Sequence, residues 1–200
     1  LQPMRALYLR MPAVATLVLA VGAGYIIGGI RSALVVSALT LFIALSPWWD
    51  RALVTLYMAT FGVVVSCLIG FSVGTLCFQN KKSAAFMLGV CDIFQTFPSF
   101  VYLIPVMMLF GITDTSVLIA VIVYATIPAT RYTIEGLRSV PAALHDAATM
   151  SGVTKFQRLF KIEFPLAFPH MMLGLNQTIV FALFMVIIGA FIGTEDLGQY

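Results

Sequence analysis

The run from Ala52 to Phe78 contains no Asp, Glu, Lys or Arg. An α-helix rises about 1.5 Å per residue, so about 20 such residues cross a bilayer core about 30 Å thick. A backbone in hydrocarbon must satisfy its own hydrogen bonds, which makes helix the expected form. Five further apolar segments accompany this one, at 12–30, 33–47, 84–112, 115–130 and 171–193. The segments at 12–30, 52–78 and 171–193 reach spanning length. Those at 33–47 and 115–130 are short and need flanking residues or local thinning of the bilayer. The run 84–112 is too long for one straight span and holds Pro98 and Pro105. Each proline removes a backbone hydrogen bond and clashes with the preceding turn, so a broken or kinked helix is expected there. The fold class that follows is all-α: a polytopic membrane helical bundle of six segments.

Charge supports lipid as the main solvent. Only 10% of the 200 residues are charged, against about 25% in a soluble domain. The net charge of +3 comes from 11 basic and 8 acidic residues, scattered too widely to serve a nucleic acid. Alternating six spans with the 135–170 loop inside puts Arg31, Lys81, Lys82, Arg131, Arg138, Lys155, Arg158 and Lys161 inside. Arg5, Arg10 and Arg51 then fall outside, which obeys the positive-inside tendency. Trp48 and Trp49 sit at the outer interface, where amphipathic rings anchor well. Cys67, Cys77 and Cys91 lie in apolar runs without Cys-x-x-Cys spacing and read as reduced, small apolar side chains. The start at Leu1 shows no cleavable signal pattern, and the chain is expected to be a portion of a longer protein.

One polar island interrupts the apolar pattern. Pro141 suits the first turn of a helix, and residues 141–151 make about three turns. Gly152 suits the left-handed position past a helix C-terminus. Thr154-Lys155-Phe156-Gln157 reads as a capping box that starts a second short helix, which Pro165 ends. Phe156, Leu159 and Phe160 share one face of it. The product is two short helices with a fixed bend, small at Ala147 and Ala148 and apolar at Phe156 and Phe160. Such a knob seats in a partner's groove and carries rigid-body motion; the plain alternative is an ordinary amphipathic loop.

The island is written Asp146-Ala147-Ala148, three residues, Gly152, nine residues, Ile162-x-Phe164-Pro165. It resembles the cytoplasmic signature loop of ABC importer permeases, whose pattern is Glu-Ala-Ala, three residues, Gly, nine residues, Ile-x-Leu-Pro. Asp146 and Phe164 depart from that pattern but keep charge and apolarity. Two further stretches narrow the resemblance. Phe94-Gln95-Thr96-Phe97-Pro98-Ser99-Phe100-Val101-Tyr102-Leu103-Ile104-Pro105 precedes Met108-Leu109-Phe110-Gly111-Ile112. Gly174-Leu175-Asn176-Gln177-Thr178 opens the last segment, and Asp196-Leu197-Gly198-Gln199 follows it. Together they resemble the permeases of glycine betaine/proline betaine importers, the osmoprotectant branch that includes choline and carnitine transporters. The resemblance covers roughly residues 47–200. Members usually continue into one more membrane helix, so the chain is expected to lack the family's last helix.

The resemblance implies a type I ABC importer permease fold in a bacterial inner membrane. It implies one transmembrane domain over 1–200, with peripheral helices at 12–47 and core helices at 52–134 and 166–193. The cytoplasmic coupling loop is 135–165. Asp146, Ala147, Ala148, Gly152, Phe156, Phe160, Ile162, Phe164 and Pro165 would couple to ATPase subunits. The expected partners are those subunits, a second permease copy in a homodimer, an extracytoplasmic substrate-binding protein and the bilayer, with no nucleic acid. No cofactor is expected in this chain. The phosphate chemistry, with ATP and Mg, belongs to the ATPase, because no G-x-x-x-x-G-K-[ST] loop is present here.

Candidate path residues follow from polarity at membrane depth. Asp92 lies about 13 Å into its segment; it is either a charge that attracts a cationic headgroup or a structural carboxylate satisfied by a neighbouring helix or by Arg131. Gln95 and Thr96 lie beside Pro98, where the helix should open. Asn176, Gln177 and Thr178 lie early in the last segment and either line the path or bond between helices. Phe94, Phe97, Phe100 and Tyr102 offer ring faces to a quaternary ammonium ion, or simply pack. His145 and His170 flank the loop without ligand-spaced companions and read as solvated or interfacial. Two other functions compete. An ion-coupled secondary transporter or channel calls for intramembrane charges or repeats, where Asp92 stands nearly alone. A membrane-embedded enzyme needs a nucleophile–base or metal grouping, and the sequence offers no such spacing.

Overall fold

The computed structural model describes residues 13–191. Arg5, Arg10, the Asp196–Gln199 stretch and the ends of the 12–30 and 171–193 segments lie outside the described residues. Helices follow in order: α1 Ala13–Ala44, α2 Trp49–Phe78, α3 Lys81–Thr96, α4 Phe100–Phe110, α5 Asp114–Arg138, α6 Ala142–Met150 and α7 Lys155–Arg158. A π-helical turn, Leu159–Glu163, then leads into α8, Phe164–Ala190. The described residues form no β-strand.

Helix α5 is the buried centre. Thr113 caps it, its side chain accepting from the Ser116 N–H at 3.3 Å. Asp114 occupies the first turn and Arg138 the last, each charge favouring its end of the helix dipole. Helix α2 runs parallel to α5 through a seam of small residues spaced four apart: Gly62, Ser66, Gly70 and Gly74. The Ser66 hydroxyl donates to the Ile122 carbonyl at 3.1 Å. A Cβ on Gly70 would lie 2.9 Å from the Thr130 backbone nitrogen, and one on Gly74 2.7 Å from Thr133 Cβ. Helix α8 runs antiparallel along the other side, with Gly174 against Tyr132 and Gly189 against Val117. In lipid, where no hydrophobic drive joins apolar helices, such close backbone approach is what holds them together. Val117, Leu118, Val121, Ala182 and Met185 form the core between them.

The break in 84–112 falls at Pro98, where α3 and α4 meet at 87°. Pro98 has no N–H to give the Phe94 carbonyl one turn earlier. The Tyr102 hydroxyl donates to that carbonyl instead, so the break leaves this acceptor satisfied. Pro105 sits inside α4 without ending it.

Three expectations are corrected. Among the described residues, three helices rather than six segments are long and apolar enough to span, or up to four if the bent α3–α4 pair is one span. Segment 12–30, expected to span, becomes the short helix Ala15–Ile26, while 33–47, expected to be short, lies mostly in the short helix Gly28–Ala44. Their junction is non-helical at Gly28 and Gly29, the latter at φ +67°, a conformation that glycine adopts without strain. Segment 115–130, expected to be short, belongs to the full-length helix α5. Hydropathy stops at the polar last turns, but Arg131 and Glu135 pair one turn apart and carry the helix onward.

The α2–α5 seam yields a paired prediction. Gly70→Leu forces a side chain into the Thr130 backbone and should cost about 1–3 kcal/mol or more. A Cβ on Gly89 of α3 meets nothing within 4 Å, so Gly89→Ala should cause no loss of stability. Thermal unfolding in detergent, followed by circular dichroism, measures both; equal losses would contradict the seam.

Candidate functional site

The polar island folds into a bent lever. Pro141 caps α6 from outside the helix rather than filling its first turn. At the other end Gly152 takes φ +71°. Its N–H donates to the Thr149 carbonyl at 3.1 Å, and the Val153 N–H to the Ala148 carbonyl at 3.3 Å. This crossed pair is a Schellman motif, which satisfies the last carbonyls and fixes the exit direction. Two residues later the capping box forms. Thr154 Oγ1 accepts from the Gln157 N–H at 3.3 Å, and Gln157 Oε1 from the Thr154 N–H at 3.0 Å. Both sides of the bend are therefore tied by local hydrogen bonds. Ala148 is buried, while Asp146 and Ala147 stay exposed. Phe156 is 69% exposed and stacks on Phe160, their centroids 4.4 Å apart; Phe160 lies 5.3 Å from Phe164. One turn apart along the helix, these rings make an aromatic ladder.

Pro165 does not end the second short helix, as the sequence suggested. α7, the π turn and α8 run on as one helix, Lys155–Ala190. The Phe164 N–H reaches the Leu159 carbonyl, five residues back. Widening the turn just before Pro165 accommodates its missing donor and the clash of its ring with the preceding turn. It also aligns residues five apart. Arg158 Nε donates to Glu163 Oε1 at 2.9 Å across the turn. Glu163 is 2% exposed, a buried charge that demands a partner. Leu159 and Phe164 seat the turn on Leu137, Ala167 and Met171; Ile162 is half-buried and Pro165 exposed. The Arg138 guanidinium donates to the Lys81 carbonyl at 3.2 Å, which brings the α2–α3 turn to the lever's end of the bundle. Glu163, hidden at the unspecified position of the Ile-x-Phe-Pro pattern, was missed by sequence reasoning; a lone Glu beside an apolar helix start was the available signal.

A second constellation lies where α3, α5 and α8 meet. Arg131 Nε donates to Glu135 Oε1 at 3.0 Å, and Nη1 to Gln95 Oε1 at 2.8 Å and to Asp92 Oδ1. Asp92 is thus paired with Arg131, its side chain 59% exposed. Gln95, Arg131, Glu135 and Gln177 line one cleft of about 360 Å³, with Pro128, Tyr132 and Phe181. Rings continue from it: Phe181 stacks on Tyr124 at 4.7 Å, Tyr124 meets Tyr102 at 5.0 Å, and Tyr102, Phe94 and Phe97 follow at 6.1 and 5.9 Å.

The candidate path residues therefore part company. Gln95 and Gln177 share the cleft. Thr178 is buried and donates to the Gly174 carbonyl of its own helix at 2.8 Å. Asn176 is exposed. Thr96 donates to the Ile93 carbonyl at 2.7 Å beside the break, and Phe97 and Pro98 form the break itself. Tyr102 is buried with its hydroxyl committed to the backbone. His170 is exposed on α8, and the His145 side chain lies outside the described residues. Among the described residues no cluster of three His, Cys, Asp or Glu could hold a metal.

The chain resembles known proteins along its whole length. Residues 62–200 match the family described as "Binding-protein-dependent transport system inner membrane component". The chain is 90% identical over 200 residues to the trimethylamine N-oxide transport system permease protein of Pelagibacter ubique, covering 100% of this chain and 28% of that protein. It is 46% identical over 199 residues to the protein of that name from Ruegeria pomeroyi, covering 100% of this chain and 30% of the relative. It is 38% identical over 195 residues to the glycine betaine/proline betaine transport system permease protein of Escherichia coli, 96% of this chain and 54% of the relative. The chain thus spans between a quarter and just over half the length of these relatives.

The buried ion pair at the lever's root can be tested directly. Arg158→Ala takes one partner from a buried carboxylate and should cost about 1–3 kcal/mol. Glu163→Gln keeps an acceptor for Arg158 and should cost less. Melting temperatures of the two purified variants check the order; a larger loss for Glu163→Gln would contradict it.

Proposed function

The chain belongs to the family of binding-protein-dependent transport system inner membrane components, and from that premise we propose that it is a membrane-spanning portion of an ATP-driven importer for small methylated amines, trimethylamine N-oxide foremost. The observation that carries this reading is the 90% identity over the whole chain to a permease named for that solute. Glycine betaine, in the name of the relative at 38%, carries a similar methylated head and is the natural competitor.

In this reading a partner ATPase grips α6 through Asp146, Ala147 and Ala148, with the Phe156–Phe160 face beside them. ATP and Mg bind in that partner and drive its closure. The partner set is two ATPase subunits, a second permease copy and an external binding protein that delivers the solute. The Schellman motif and capping box keep the bend from absorbing the stroke. Because α7 continues through the π turn into α8, a push on the lever arrives at the span without an intervening loop. Helix α8 is packed along α5, and α5 carries Arg131 at the joint with the broken helix. Motion at the lever thereby reaches Asp92, Gln95 and Gln177, the residues assigned to the path, and the break at Phe97 and Pro98.

Reconstitution with the ATPase and binding protein in liposomes tests the proposal: ATP should drive uptake of trimethylamine N-oxide. Uptake that ignores ATP and follows a sodium or proton gradient would overturn it. Ala147→Trp, at an exposed position that leaves the spans intact, should lower uptake between about 5- and 150-fold, the usual span of coupling between sites. Unchanged uptake in that variant would remove α6 from the mechanism. Gly152→Val, where a side chain meets open space but a strained φ, should weaken ATPase co-purification by spoiling the bend; full retention would remove the bend from the account.

A further inference from the structure

We propose that the cleft between α3, α5 and α8 is a waypoint for the solute inside the membrane domain, shaped for a small dipole with a methylated cationic nitrogen and an anionic oxygen. The inference rests on the importer reading above and assigns that reading a binding site.

Charge supplies the first ground. Asp92 and Glu135 bring two carboxylates to one guanidinium, so the group holds a surplus negative charge where a cation would be welcome. Unused donors supply the second. Arg131 engages its partners through Nε and Nη1; among the described residues Nη2 and the half-buried Gln177 amide donate to no protein group. Both residues line the cleft, and an N-oxide or carboxylate oxygen would accept from both. Ring faces supply the third. Phe181 lines the cleft and stacks on Tyr124, giving the methylated nitrogen the aromatic surface that quaternary ammonium ions favour.

The ligand binds here alongside the existing bonds of Arg131. Its oxygen takes donors from Arg131 and Gln177 while its methylated end sits between Phe181 and the carboxylates. Arg131 also bridges α3 to α5 through Nη1, so the ligand lies beside the contact that holds the broken helix.

Two measurements on the permease complex keep this inference separable from the importer reading. Saturation-transfer NMR, with the binding protein left out, reads contact between the methyl protons of trimethylamine N-oxide and the membrane domain. Transfer is expected in the wild type and should fall at least about fivefold in Gln177→Leu, a swap of similar volume that removes the carboxamide. Absence of transfer in the wild type overturns the waypoint even if ATP-driven uptake is robust. Uptake assays with the binding protein present then compare trimethylamine N-oxide with glycine betaine. Gln177→Leu at unchanged melting temperature, and Glu135→Gln beyond any loss that tracks its melting temperature, should change the ratio between the two solutes. An unchanged ratio, or an equal loss for both solutes that tracks a lower melting temperature, assigns these residues to packing and overturns the inference. Transfer without ATP-driven uptake would instead sink the importer reading and leave the waypoint standing.

Discussion

Close approach of α5 to its two neighbours is the constraint on which the rest of the molecule depends. A side chain at Gly70 or Gly74 would push α2 away, and the Ser66 bond to Ile122 would be lost with it. On the other flank Gly174 lets Tyr132 lie against α8, which sets how far Gln177 stands from Arg131. The polar cleft and the lever's seat on Leu137 are both fixed to α5. In a solvent that offers apolar helices no reward for meeting, glycine gives backbone contact that dispersion can exploit. The functional groups are held in place by residues that have almost no side chain.

The sequence disclosed the parts whose physics is local. Gly152 past a helix end and Thr154 three residues before Gln157 are short-range signals, and both appear in the structure where they were read. Pro98 broke its helix for the same reason. What stayed hidden depends on distant partners. The last turns of α5 are polar, and their helicity is secured by pairing between Arg131, Glu135 and residues on α3. Of Asn176, Gln177 and Thr178, only Gln177 reaches the cleft; consecutive helical residues point about 100° apart, and nothing local says which direction is inward. The π turn was invisible because Pro165 legitimately signals either an end or a first turn, and the neighbouring core decides.

Aromatic residues around the break have divided duties. Tyr102 gives its hydroxyl to a carbonyl that Pro98 cannot serve, so its role is bound up with the backbone. Phe94 and Phe97 lie edge to face beside it. Tyr132 and Phe181, on two other helices, bring rings to the polar cleft, and neither belongs to the aromatic candidates near Pro98. Composition rich in Phe therefore says little about which ring meets a solute; the convergence of helices determines that.

The π turn between lever and span carries a final implication. Such a turn amounts to one extra residue inserted in an α-helix, and one residue is about 100° of azimuth. The direction in which α6 projects is thus set by an integer, the number of residues between Arg158 and Phe164. A single deletion here would swing the lever about a quarter turn. Length, in this segment, is a form of information as strict as identity.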